Sequence, residues 1–132
     1  MYLKSGSWVL LFLALPTIAI MNIENYRIVD GSNNQYLVSR TTVEYLPIKK
    51  ENSSSGVYSG GNAWKKPISE KQYQLIQKLF ESAANEKSQL RKKRSMGTYL
   101  LQSGPMGDRK SVIIDGSSTR AQGLVKILKD LK

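Results

Sequence analysis

The 132-residue sequence contains neither cysteine nor histidine. Without cysteine there can be no disulfide, thiol nucleophile, Cys-ligated zinc, iron–sulfur cluster or lipoprotein-type lipidated cysteine. A cysteine-free exported protein is ordinary for bacteria. It is unusual for a small eukaryotic secreted scaffold, which leans on disulfides. The missing histidine removes the commonest general base near neutral pH and the commonest metal ligand. Ser-His-Asp hydrolysis, His-dependent nucleases and His-ligated zinc are therefore excluded. No Ser-x-x-Lys occurs either. Catalysis would have to rest on carboxylates, Lys or Tyr, and the ten carboxylates are scattered without the pairing that would point to a glycosidase. The expectation is a protein that is not an enzyme and has no metal and no cofactor.

Acid is scarce as well: ten Asp and Glu stand against twenty Lys and Arg, a formal net charge of +10. The excess is uneven. Residues 1–64 hold five basic and four acidic residues, whereas residues 65–132 hold fifteen and six. A basic half of this kind attracts nucleic acid, anionic lipid, acidic polymers or an acidic protein, and it also keeps a small exported protein soluble.

One long apolar run is present, at the start. Lys4 precedes a charge-free stretch from Trp8 to Met21, with Val9 to Leu15 as its core and Pro16 behind it. This run suits a signal peptide and falls short of the ~20 residues that span a bilayer comfortably. Residues 1–19 are expected to be an export signal cleaved before Ile20, or an uncleaved signal anchor reaching about residue 23. Residues 24–132 then form a single basic domain, large enough for one modest core.

Within that domain, Tyr26–Val29 and Tyr36–Ile48 are expected as strands joined at Asp30-Gly31-Ser32-Asn33-Asn34, residue types that favour turns. Residues 49–67 make a Ser/Gly-rich loop longer than ordinary connections. Ser69 and Gln72 have the spacing of a helix capping box, and apolar residues from Tyr73 to Leu90 recur at helical period. That helix is expected to reach Arg94. Strands over 98–102 and 111–114 come next, with a turn at 103–108 between them. Ser117 or Ser118 caps a last helix with Ala121, Leu124, Val125, Leu128 and Leu131 as its stripe. The order β-β-α-β-β-α predicts an α+β domain, a small antiparallel sheet with both helices on one face. Ile28-Val29-Asp30-Gly31-Ser32 is echoed by Ile113-Ile114-Asp115-Gly116-Ser117. The echo hints at duplication, but it is also common turn chemistry.

Two candidate sites emerge. Tyr58 and Trp64, among the glycines of the long loop, offer flat contact surface with polar tips, as a recognition loop for a peptide or glycan would. The same composition also describes a flexible linker. Arg91, Lys92, Lys93 and Arg94, with Arg109 and Lys110, are the second candidate, an anion-binding patch. They equally suit a solvated helix end opposite the helix dipole. The resulting expectation is an exported, non-enzymatic binding protein of bacterial type, periplasmic or secreted, recognising a protein or an anionic polymer of the cell envelope. A carboxylate-based hydrolase is the alternative, and a nucleic-acid-binding protein a second one.

Overall fold

A computed structural model describes residues 24–105 and 108–132. The expected export segment lies outside the described residues, as do Met106 and Gly107 of the turn expected at 103–108. The described residues form a seven-stranded antiparallel sheet with two helices, so the domain is α+β. In chain order the elements are β1 (Glu24–Val29), β2 (Gln35–Ser39), β3 (Thr42–Leu46), β4 (Trp64–Pro67), α1 (Glu70–Ala84), β5 (Leu90–Arg91), β6 (Tyr99–Ser103), β7 (Lys110–Ile114) and α2 (Thr119–Lys129). Across the sheet the order is β4-β3-β2-β1-β6-β7-β5.

Alternation sets the buried face. Tyr26 and Ile28 of β1 pair with Val38 and Tyr36 of β2, which pair in turn with Val43 and Tyr45 of β3. Leu101 of β6 lies opposite Ile28, and Ile114 of β7 opposite Tyr99. Cross-strand partners share a face, so these side chains form one apolar surface. They belong to one buried cluster with Tyr73, Ile76, Phe80 and Ala83 of α1 and Ala121, Leu124, Val125 and Leu128 of α2. Aromatic rings fill much of it. Tyr26 packs on Phe80 at 4.5 Å between centroids, and Tyr36 on Tyr45 at 4.9 Å. Burial foremost pushes the Tyr26 and Tyr45 hydroxyls up to about 12 and raises Tyr36 further. The other face carries a polar ladder. Arg27 donates to Gln35 Oε1 (3.0 Å) and Gln102 Oε1 (2.6 Å), and Gln102 Nε2 donates to Ser111 Oγ (2.9 Å).

The sheet has more strands than the four expected, for three local reasons. The stretch 36–48 is two strands. Its buried residues switch from even numbers (Tyr36, Val38) to odd (Val43, Tyr45), a change of phase that requires a turn. Ser39 Oγ accepts from the Thr42 amide at 3.1 Å within that turn. The end of the long loop is strand β4, held because the Trp64 ring stacks on Tyr45 at 5.6 Å. Lys65, Lys66 and Pro67 blunt this edge strand against further pairing.

The third difference corrects the first helix. Its capping box forms as expected, Gln72 N donating to Ser69 Oγ (3.1 Å) and Ser69 N to Gln72 Oε1 (2.8 Å). The helix ends at Ala84 rather than near Arg94. Residues 85–89 supply no apolar side chain to extend the stripe, and Asn85 Nδ2 closes the last turn on the Glu81 carbonyl at 2.9 Å. A single 3-10 turn, Lys87–Gln89, leads into β5. This region is tied to the start of α2, where Ser118 Oγ donates to Glu86 (3.0 Å) and Arg120 pairs with Glu86 (3.3 Å). The second helix is capped by Ser118, whose Oγ accepts from Ala121 N at 3.2 Å. Among the described residues no helix is long and apolar enough to cross a membrane.

Candidate functional site

Strands β1 and β7 both pair antiparallel with β6, so they run in the same direction and end at the same edge of the molecule. There the chain makes Asp30-Gly31-Ser32 after β1 and Asp115-Gly116-Ser117 after β7. Gly97, at φ +86°, stands between them just before β6. A Cβ on Gly31 would come within 2.8 Å of the Gly97 carbonyl oxygen, and one on Gly116 within 2.5 Å. Neither position has room for a side chain. This close approach brings residues 94–97 against the β1–β2 turn. A cleft of about 440 Å³ opens between them, lined by Gly31, Ser32, Asn33, Ile48, Ser53, Ser54, Tyr58, Arg94, Ser95, Met96 and Gly97.

The long loop forms one wall, and it is fastened rather than free. Asn34 is the fastening. It is buried, donates its backbone N–H to Asp30 Oδ1 (2.9 Å), and donates Nδ2 to Asp30 Oδ2 (3.2 Å) and to the Tyr58 hydroxyl (3.0 Å). Its Oδ1 accepts from the Ile48 amide at 2.9 Å. Further on, Gly60 N donates to the Ile48 carbonyl (3.2 Å) and Tyr45 OH to the Gly60 carbonyl (2.7 Å). A side chain at Gly60 would collide with Asn34, since its Cβ would sit 2.0 Å from Oδ1. A buried amide with its donors and acceptor engaged is costly to displace, so Tyr58 is presented in one orientation.

Arg94 forms the opposite wall. Its Nη1 donates to the Thr98 carbonyl and to Thr98 Oγ1 (3.3 Å), and its Nη2 to Asn33 Oδ1 (2.7 Å). Burial lowers its pKa from the usual arginine value while Asp30 acts in the opposite sense. The group remains a cation at any ordinary pH. Three contacts leave two of the five guanidinium donors for a ligand.

Of the residues singled out from the sequence, the structure brings Tyr58 and Arg94 together across this cleft. Lys92 and Lys93 are exposed in the chain just before Arg94. Trp64 is not at the cleft; its ring is half-buried against Tyr45 and Tyr36 and serves packing. Arg91 pairs with Asp115 at 3.3 Å and caps the Ser88 and Leu90 carbonyls. Lys110 begins β7, and Arg109 precedes it, at the opposite end of the strand from Gly116. Arg109 and Lys110 do not line the cleft, and of the cluster at 91–94 only Arg94 does, Arg91 lying opposite Ile113 of β7.

Asn34, Met96 and the serines of the lining did not stand out in the sequence. The signal available was the run Asp30-Gly31-Ser32-Asn33-Asn34, where Asn33 does adopt the left-handed region at φ 68°. Among the described residues there is no group of three or more Asp and Glu able to hold a metal ion.

No family model, curated protein or solved structure matches this chain. Fold and cleft geometry define it as a small antiparallel α+β domain with a loop-built cleft at the end of the sheet.

Proposed function

We propose that the chain is an exported, non-enzymatic binding protein that recognises a protein partner at the cleft between Tyr58 and Arg94. In this reading both helices cover the apolar face of the sheet, and binding is left to the loops at its end. The observation that carries the reading is where apolar surface is exposed. Of the five large apolar side chains exposed among the described residues, Tyr58 and Met96 line the cleft and Val57 is the neighbour of Tyr58. Met96 is 91% exposed. Exposed apolar surface gathered at one place marks an interaction site more often than scattered residues do. Tyr, Met and Arg, the three large side chains here besides Ile48, are types enriched at protein interfaces. Fixing Tyr58 through Asn34 and Arg94 through Thr98 lowers the ordering cost of binding.

The opening segment supports the exported part of the reading, since Lys4 and the apolar run behind it suit a signal. The basic balance of residues 65–132 supports a second reading, an anionic envelope polymer as partner, which predicts binding that weakens steeply with salt.

A photo-crosslinking residue at Met96, with Lys129 on α2 as the control position, tests the proposal in the full chain within its own cells. Adducts of one defined mass from position 96 only, in an extracytoplasmic fraction, are expected. Equal labelling from both positions, or none from position 96, contradicts the reading.

A further inference from the structure

We infer that the cleft takes an acidic segment of its partner, a stretch in which carboxylates alternate with apolar side chains. This rests on the reading of the cleft as a protein-recognition site and names the chemistry that site selects. Charge complementarity and the arrangement of donors both favour it.

Among the described residues no carboxylate lines the cleft, and the one charged lining residue is Arg94. The nearest acid along the chain, Asp30, is only 5% exposed. Its oxygens are occupied by Ser32 N (2.8 Å), Asn34 N and Asn34 Nδ2. It does not line the ligand space, although its charge acts on Arg94. Lys49, Lys50 and Glu51 lie between Ile48 and Ser53 of the lining, and Lys92 and Lys93 directly precede Arg94; all five are exposed. Along the chain, four lysines against one glutamate therefore flank the two walls of the cleft.

The donors are suited to carboxylate. A guanidinium already held by Thr98 and Asn33 keeps its charge in place and retains N–H groups of the kind that carboxylates accept from. The hydroxyls of Ser32, Ser54 and Ser95 around it offer further donors, while that of Ser53 is already given to the Lys50 carbonyl (2.9 Å). Met96 and Tyr58 add apolar contact on either side. A bare polyanion would leave that contact unused, whereas a segment alternating acidic and apolar residues uses both.

The test is a fluorescence-anisotropy titration of the full chain with two labelled peptides of equal length, one of alternating Glu and Leu and one of alternating Gln and Leu. Three proteins are compared: the unaltered chain, the Lys92→Glu/Lys93→Glu double variant and Met96→Ser. The substituted side chains are all exposed, so thermal unfolding should be unchanged. The Glu peptide is expected to bind about ten-fold or more tighter than the Gln peptide at low salt. The double variant should abolish that preference, and Met96→Ser should weaken the Glu peptide several-fold.

If both peptides bind equally and both are weakened by Met96→Ser, the cleft is a protein site without acid selection. The inference then falls while the proposed function stands. If neither peptide binds, or the double variant leaves the preference intact, the inference is overturned. If heparin displaces the Glu peptide and Met96→Ser has no effect on it, the surface is a general polyanion binder, and both readings fail.

Discussion

The two Asp-Gly-Ser turns begin alike and end differently. After β1, Asp30 Oδ1 accepts from Ser32 N at 2.8 Å; after β7, Asp115 Oδ2 accepts from Ser117 N at 3.0 Å. Next to each aspartate a glycine is pressed against Gly97. Asp30, however, is buried, and its second oxygen binds the Asn34 side chain, through which the long loop is secured. Asp115 stays partly exposed and pairs with Arg91 across the short β5–β7 ladder, while the chain behind it enters α2. The same five-residue pattern therefore builds a hairpin turn that organises a cleft in one place and a helix entry in the other. The local turn chemistry is shared, and the role is decided by the chain beyond it: Asn34 in one case, the Ser118 helix cap in the other.

Substitutions at matched positions should separate the two turns. The largest effect is expected for Asp30→Ala, which strands the buried Asn34 N–H and frees its side chain. A loss of about 3 kcal/mol in denaturant unfolding is expected, with rapid amide exchange over residues 48–61. Gly31→Ala and Gly116→Ala should each cost about 2–3 kcal/mol, because backbone rather than a yielding side chain meets the new methyl. If Gly116→Ala proves neutral, the packing of the two turns on Gly97 is not the constraint it is described to be.

A smaller effect is expected for Tyr58→Phe, about 1 kcal/mol from the lost bond to Asn34. Exchange of the Gly60 amide, which donates to the Ile48 carbonyl, should rise while that of the β6–β7 hairpin is unchanged. Asp115→Asn should be the mildest, visible only through pH. Its carboxyl is held below the ordinary value of 3.8, first by the Ser117 hydroxyl and amide and then by Arg91. A depressed carboxyl contributes stability above its unfolded pKa and loses it as the pH falls through the folded value. The unaltered chain should therefore lose slightly more stability than Asp115→Asn on acidification below about pH 4, and equal acid titrations of Tm would show that Asp115 contributes nothing.

Much of the fold could be read from local chemistry. The Ser69–Gln72 capping box, the stripe of α2 and the Asp-Gly turn between β1 and β2 each depend on residues within one or two turns of chain. The missed strands depend on contacts from afar. Trp64 becomes a strand residue only because Tyr45 is there to receive its ring, and Leu90–Arg91 only because Ile113 and Ile114 lie beside them. The end of α1 was readable in the gap of apolar residues after Ala84 and was obscured by Leu90, which restores the helical spacing by coincidence.

The site was partly legible for the same reason. Tyr58 and Arg94 are residue types that point to binding surfaces, and both line the cleft. Asn34, an ordinary turn residue in sequence, becomes the hub of the long loop through partners fourteen and twenty-four residues away. Trp64 offers a flat contact surface in sequence, but Tyr36 and Tyr45 claim it for packing.

The most direct test of the cleft as the recognition surface is an amide shift map of the full chain during titration with the alternating Glu–Leu peptide. Perturbation should concentrate at Ser32, Asn33, Ser53, Ser54, Tyr58, Ser95 and Gly97, with the Lys110 end of β7 and the exposed side of α2 unmoved. Shifts centred on Lys65 and Lys66 at the β4 edge, or on Lys126 and Lys129 of α2, with the cleft silent, would contradict it.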